Sequence, residues 1–213
     1  MITMTPKVTP QHKQEARARI LDAAEMLFSK QGYDDTSMDQ IVEESSLSKG
    51  AIYGYYSSKD ELFLALQERQ STSSLSEIRS TFSPEDSAKT KLEKSTDMVF
   101  ASLIGISKQA CRMNLEFAVK APRMKSLQRM RDRLFKTEHD FLAGIISEGI
   151  KAGEFREDID PDSLASILIA MIDGLAFNWV STSFEFEWGA LRNKTKKLVL
   201  EGLQVSKPRT KAE

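Results

Sequence analysis

Apolar residues recur at helical spacing along nearly the whole chain. Ile20, Ala23, Ala24, Leu27 and Phe28 mark a first helix, and Gly32-Tyr33 stops it. A second begins at Met38, Ile41 and Val42, with Thr36 or Ser37 as N-cap, Asp39 and Gln40 near the first turn, and Asp39, Glu43 and Glu44 on its charged face. Ser45 and Ser46 weaken that helix, Leu47 supplies an apolar anchor in the turn, and Ser48 caps another helix over 49–55. Ser57 or Ser58 then caps a third helix of this group. It runs to about Ser80, and the serines at 71, 73, 74 and 76 lower its propensity enough to mark fraying or a hinge. Two short helices joined by a tight turn and buttressed by a third are how a protein places a helix in a DNA groove.

The remainder carries no useful strand alternation and no fixed-period repeat, so the fold class is all-α. Ser83-Pro84 with Glu85 and Asp86 reads as a cap for a helix reaching Gly105, and a shorter helix follows over 107–120. Pro122 is expected to start another, carrying Leu127, Met130, Leu134, Phe135, Phe141, Leu142, Ile145 and Ile146, with Gly149 and Gly153 closing it. Asp160-Pro161 opens the next, and the last is expected over about 185–205. Residues 164–180 are apolar nearly all round, a profile of a helix buried on every side or set in a membrane. Asp173 and Asn178 argue against the membrane, where each would cost several kcal/mol. Burial between this domain's own core and a partner subunit is the economical alternative, and no membrane association is expected.

The 49–55 helix is unusually bare. Lys49, Gly50, Ala51 and Gly54 offer little side-chain bulk, Ile52 and Tyr56 face inward, and Tyr53 and Tyr55 reach out. Two glycines cost roughly 1 kcal/mol each relative to Ala, an expense without return in a core helix but useful where backbone must approach DNA. The run SLSKGAIYGYYSSKDELFLAL, preceded by ARILDAAEMLFSKQGYDDTSMDQIVEES, resembles the N-terminal DNA-binding domain of the TetR family of transcriptional repressors over residues 17–66. Two positions depart from that family's habit: Gly54 replaces a larger polar residue, which puts one DNA contact in doubt, and Tyr56 replaces Phe.

The resemblance implies a helix-turn-helix DNA-binding domain over 11–66 and a helical ligand-binding and dimerisation domain over 67–205; residues 1–10, with two prolines and no apolar period, and 206–213, short, basic and polar, are expected as mobile tails. Thr36, Ser37, Tyr53, Tyr55 and Lys59 would hold phosphates, Lys49, Gly50, Ala51 and Gly54 would face base edges, and Ser48 would cap the helix that carries them. It further implies a homodimer on an inverted-repeat DNA operator, built by pairing the last two long helices. Leu164, Leu168, Met171, Leu175, Leu191 and Leu198 are the seam candidates, with plain core as the competing reading for each. A small-molecule effector in the second domain would release the repressor from DNA.

Composition constrains these expectations. The 213 residues are 40% hydrophobic and 29% charged, with net charge −1, as in ordinary soluble proteins. Residues 1–60 hold seven Lys/Arg against nine Asp/Glu. Lys13, Arg17, Arg19, Lys49 and Lys59 would therefore have to converge on the DNA side, and one domain alone would bind weakly, which makes a dimer a physical need. A single cysteine, Cys111, forms no internal disulfide and reads as a buried structural thiol; with no apolar leader at the N-terminus, a cytoplasmic protein is expected. His12 and His139 lie far apart, and no metal spacing, phosphate loop or nucleophile elbow appears, so neither enzyme activity nor a cofactor is expected.

For the effector site the sequence offers soft and aromatic groups, Met98, Phe100, Met113, Phe117, Met124, Phe135, Phe141, Phe177 and Trp179, and polar groups among apolar neighbours, Asn114, Glu116, Asp173 and Asn178. A carboxylate facing a cavity would suit a cationic ligand; one meeting Arg112, Arg123 or Lys197 would be a structural ion pair. The basic run from Arg123 to Lys136 reads as a solvated face. An activator or partner-controlled regulator stays open beside the repressor, and a helical adaptor that ignores DNA is the rival from another class.

Overall fold

The computed structural model describes residues 9–123 and 125–204; Met124 and the expected tails at 1–8 and 206–213 lie outside the described residues. Among the described residues the chain forms nine α-helices: α1 (Pro10–Gln31), α2 (Met38–Ser45), α3 (Lys49–Tyr55), α4 (Lys59–Ser80), α5 (Ala88–Gly105), α6 (Lys108–Lys120), α7 (Lys125–Lys151), α8 (Pro161–Ser181) and α9 (Trp188–Leu203). They fall into two compact units that divide within α4, between Ser71 and Thr72. The serine cluster in α4 does not interrupt it. Thr9 and Pro10, expected in the tail, begin α1 instead: Pro10 is its first residue and the Thr9 hydroxyl accepts from His12 N.

In the first unit, the buried side chains are Ile20, Ala24 and Phe28 of α1, Ile41 of α2, Ile52 of α3 and Leu62, Phe63 and Leu66 of α4. Phe28, Tyr33 and Phe63 form an aromatic trio with centroids 5.4–5.5 Å apart. On the opposite edge of α1, Arg69 bridges Asp22 and Glu25 at 2.6 and 2.7 Å.

In the second unit, α5 packs on α7 and α9, and α8 on α6 and α7. The cap of α5 is Ser87, whose hydroxyl accepts from Thr90 N. The expected cap at Ser83-Pro84 is a turn closed by Ser83 N donating to the Asp86 carboxylate, itself 2.6 Å from Lys94. A second acceptor arrives from far along the chain, because the Glu154 carboxylate takes hydrogen bonds from Ala88 N and Lys89 N. Pro122 does not open α7: it sits in a short 3₁₀ turn, Ala121–Arg123, which seats Ala121 in the core. The C-terminus of α7 folds back as Gly153 takes φ +72° and the amides of Glu154 and Phe155 both donate to Gly149 O. The Phe155 ring then covers Gly149 so closely that a Cβ there would lie 2.2 Å from it.

Asp160 caps α8 by accepting from Ser163 N. The last helix starts at Trp188, not 185; the preceding loop carries Phe184 and Phe186, which form an edge-to-face series with Trp188 and Trp179. The main core joins Ile78, Leu92, Phe141, Ile146, Phe155, Leu168 and Leu203. A smaller cluster of Cys111, Ala176 and Val180 ties α6 to α8, and burial pushes the Cys111 thiol above its ordinary value, as suits a structural thiol.

The phase of α8 differs from the expected seam. Leu168 is buried in the core, Leu164 and Met171 pack against it, and Leu175 and Leu191 are half-buried; of the six seam candidates only Leu198 is well exposed, at 70%. The open stripe of α8 instead runs through Ile167 (61% exposed), Ala170 and Phe177 (55%), with the half-buried Gly174 between the last two, at i, i+3, i+10 and i+7. A helix with almost no polar side gives no phase in its sequence.

Candidate DNA interface and ligand cavity

The turn between α2 and α3 is fixed at both ends. Ser37 caps α2 in a reciprocal box: its hydroxyl accepts from Gln40 N at 3.2 Å, and Gln40 Oε1 accepts from Ser37 N at 2.7 Å. Ser46 takes the left-handed conformation at φ 54° to end α2, and Arg19 of α1 donates to the freed carbonyls of Ser45 and Ser46. Ser48 then caps α3 by accepting from Ala51 N. Ile52 anchors α3 in the core, and Tyr56 follows it inward.

The outer side of α3 is open. Lys49, Gly50, Tyr53 and Gly54 are exposed, Ala51 and Tyr55 half-buried, and a Cβ added at Gly50 or Gly54 would meet nothing within 4 Å. The two glycines therefore relieve no crowding inside the protein. Lys49 Nζ lies 2.7 Å from Asp39 and 5.9 Å from the Tyr53 ring centroid, and the Asp39 carboxylate beside it holds its ammonium above the ordinary value.

Two residues expected at phosphates have internal work. Thr36 is 1% exposed and its hydroxyl donates to Gly32 O at 2.7 Å. Lys59 Nζ donates to Tyr33 O at 2.6 Å, Thr36 O at 2.7 Å and Asp34 O at 3.3 Å, and stands 4.2 Å from the Tyr33 ring centroid. Tyr33 donates its hydroxyl to Asp60; burial first, then that carboxylate, pushes the phenol far above its ordinary value. Lys59 thus laces the α1–α2 loop to the start of α4. Of the five cations expected to converge, Arg19 and Lys59 hold backbone carbonyls and Lys49 holds Asp39, while Lys13 and Arg17 are exposed on α1.

The second unit forms a half-open cavity of about 260 Å³ between α5, α7, α8, α9 and the last turns of α4. Its wall is mostly aliphatic, including Leu75, Ile78, Leu92, Val99, Ile169 and Val199, with Phe141 the one aromatic ring, and its polar members are Ser95, Thr96, Glu138, Asp173 and Thr195. Of the residues proposed from sequence for the effector, Asp173 and Phe141 line it. Phe100, Met113 and Phe117 are buried elsewhere; Trp179 meets Trp188 edge to face; Asn114 is half-buried; Glu116, Phe135, Phe177 and Asn178 are exposed. Asp173 lies 3.7 Å from Arg131, not from the cations expected for it; burial raises its carboxyl above the ordinary value and Arg131 draws it down. Glu138 is the member that sequence reasoning missed, although its place between Phe135 and Phe141 on the apolar side of α7 was a usable sign. Among the described residues no group of His, Cys, Asp and Glu is arranged to hold a metal.

Comparisons with known proteins agree on both units. A family model for bacterial regulatory proteins of the tetR family matches residues 20–66, and one for the C-terminal part of BetI-type transcriptional repressors matches residues 88–200. The uncharacterized HTH-type transcriptional regulator YfiR of Bacillus subtilis (strain 168) is 27% identical over 175 residues, 82% of this chain and 85% of its own. Among solved structures, a regulator from Saccharomonospora viridis in complex with choline aligns with TM-score 0.78 at 21% identity, covering 91% of this chain and 100% of its own. The regulator FadR from Bacillus subtilis in complex with stearoyl-CoA aligns with TM-score 0.73 at 23% identity, covering 88% and 99%.

Proposed function

The chain belongs to the TetR family of bacterial transcriptional regulators, and from that premise we propose that it is a cytoplasmic homodimeric repressor released from DNA by a small molecule in its second unit. The observation that carries the proposal is the presence in one chain of a capped helix with a bare outer side and an apolar cavity of ligand size. In this reading α3 enters the major groove. Lys49, Gly50, Ala51 and Gly54 approach base edges, Ser37, Tyr53 and Tyr55 hold phosphates, and Ser48, Thr36 and Lys59 keep that surface in place.

Few cations are left to neutralise phosphates, so two half-sites read by a dimer supply the affinity. The stripe of Ile167, Ala170, Gly174 and Phe177 on α8, with Leu198 on α9, is the apolar surface such a dimer would cover. Leu75 and Ile78 of α4 wall the cavity, and the same helix begins at the Lys59 clamp, which gives a ligand a covalent route of influence to the DNA unit. Regulators of this fold carry choline in one case and stearoyl-CoA in another, which supports a ligand-answering second unit. Deleting the gene tests the sign: transcripts from promoters the protein occupies rise for a repressor, and a fall would overturn the reading in favour of an activator.

A further inference from the structure

The charges on the cavity wall are already answered inside the protein. Asp173, its side chain more than half exposed, meets Arg131 at 3.7 Å, and Glu138 is engaged within the chain. Among the described residues no lysine, arginine or histidine lines the space. An anion would enter without a countercharge, and a cation would have to take a carboxylate from its present partner; each would also shed its hydration against an aliphatic wall. Three hydroxyls remain. Ser95 donates to Lys91 O at 2.7 Å and Thr96 to Leu92 O at 2.9 Å, so each offers the cavity lone pairs only. Thr195 of α9 differs: it lines the cavity at 9% exposure, and among the described residues its hydroxyl makes no hydrogen bond. A buried hydroxyl left without a partner is a standing cost that a ligand atom can remove.

Resting on the reading of this cavity as the effector site, we infer that its ligand is a neutral aliphatic alcohol of medium chain length. Its oxygen accepts from Thr195, its O–H donates to a lone pair of Ser95 or Thr96, and its hydrocarbon body lies along Leu92, Val99 and Ile169. The helices that carry these hydroxyls, α5 and α9, pack on each other. The wall holds one aromatic ring, Phe141, so a flat aromatic ligand finds no second ring to stack on. At about 260 Å³ the cavity is smaller than the roughly 300–1,000 Å³ of sites for drug-sized molecules, which limits the length of the chain.

Calorimetric titration of the full chain with 1-octanol, its isomer 1-methoxyheptane, n-octylammonium and octanoate separates these features at matched length. Octanol is expected to bind about five-fold tighter than the ether, which accepts but does not donate, and about ten-fold tighter than either ion. Thr195→Val is expected to weaken octanol about five-fold, and Thr195→Ser to retain the binding. Because the hydroxyl bonds to nothing in the chain, Thr195→Val is also expected to leave the melting temperature of the free protein undiminished. The ether or either ion binding as tightly as octanol, no octanol binding, or octanol binding unmoved by Thr195→Val would overturn the inference; a melting temperature lowered by that variant would show a structural hydroxyl and overturn it too. If an ion binds best and still frees the protein from DNA, the effector site stands and the ligand class falls. If octanol binds, is blocked by Val99→Trp and yet leaves DNA binding untouched, the effector reading falls and the ligand class stands.

Discussion

Replacing Lys59 by Met tests whether this residue holds the protein together or holds DNA. The substitution keeps the aliphatic stem and removes the ammonium, leaving the carbonyls of Tyr33 and Thr36 without their donor and the Tyr33 ring without its cation. Hydrogen bonds to a charged group contribute about 1.5–3 kcal/mol each, and water reaches part of this half-exposed site, so the loss is about 2–4 kcal/mol. Set against total stabilities of about 5–15 kcal/mol, that lowers the melting temperature by on the order of 10 °C. Thermal unfolding followed by circular dichroism reads the change, and DNA binding measured well below both transitions reads the other role. The clamp predicts a large fall in melting temperature with a modest loss of affinity. An unchanged melting temperature with affinity reduced more than about ten-fold would refute it and make Lys59 a phosphate contact.

Four further outcomes follow from the same geometry. Asp39→Asn frees the exposed Lys49 and removes a negative charge beside α3, so DNA affinity rises and the gain shrinks as salt is added; titrations at two salt concentrations check it, and an unchanged or lower affinity contradicts it. Gly149→Ala forces a methyl against the buried Phe155 ring and is expected to cost about 1–3 kcal/mol in urea unfolding, whereas a neutral result would mean that the α7 terminus yields freely. For Glu154, burial works against ionisation, but the amides of Lys89 and Ala88, the Ser87 hydroxyl and Lys91 outweigh it and hold the carboxyl below its ordinary value. Its stabilisation is therefore present above the ordinary glutamate range and lost as pH falls through the lowered value, so wild type and Glu154→Gln should differ most near neutrality and converge in acid. Ile167→Glu places a charge in the open stripe of α8 and is expected to shift sedimentation from dimer to monomer with the melting temperature little changed.

Local rules carried the sequence reading furthest where one residue decides one bond. Ser37, Gln40 and Ser48 announce the two caps of the helix-turn-helix, and Ile52 and Tyr56 announce the inner side of α3, because the partners lie within a turn of each other. The α5 cap was misplaced because Ser83-Pro84-Glu85-Asp86 satisfies the same rule as Ser87, and what favours Ser87 is Glu154, far along the chain. The phase of α8 was hidden by its uniform apolarity. The cavity was hidden for a related reason: Leu92, Val99 and Ile169 are indistinguishable in sequence from filled core, whereas Phe100, Met113 and Phe117, chosen for their chemistry, pack elsewhere. Lys59 is the sharpest case, since a cation at the start of a helix next to a DNA-reading motif suggests a phosphate, and only the three-dimensional path of the α1–α2 loop shows the carbonyls it already holds.

The central claim, that α3 reads DNA as part of a dimer, is tested most directly by selecting purified full-length protein against random duplex DNA at near-physiological salt and sequencing the bound pool. Enrichment of an inverted repeat with half-sites about one helical turn apart or a multiple of it is expected, with loss of that enrichment in Tyr55→Ala while the fold stays intact. A pool left random, or an enriched sequence that Tyr55→Ala binds as tightly, would contradict it.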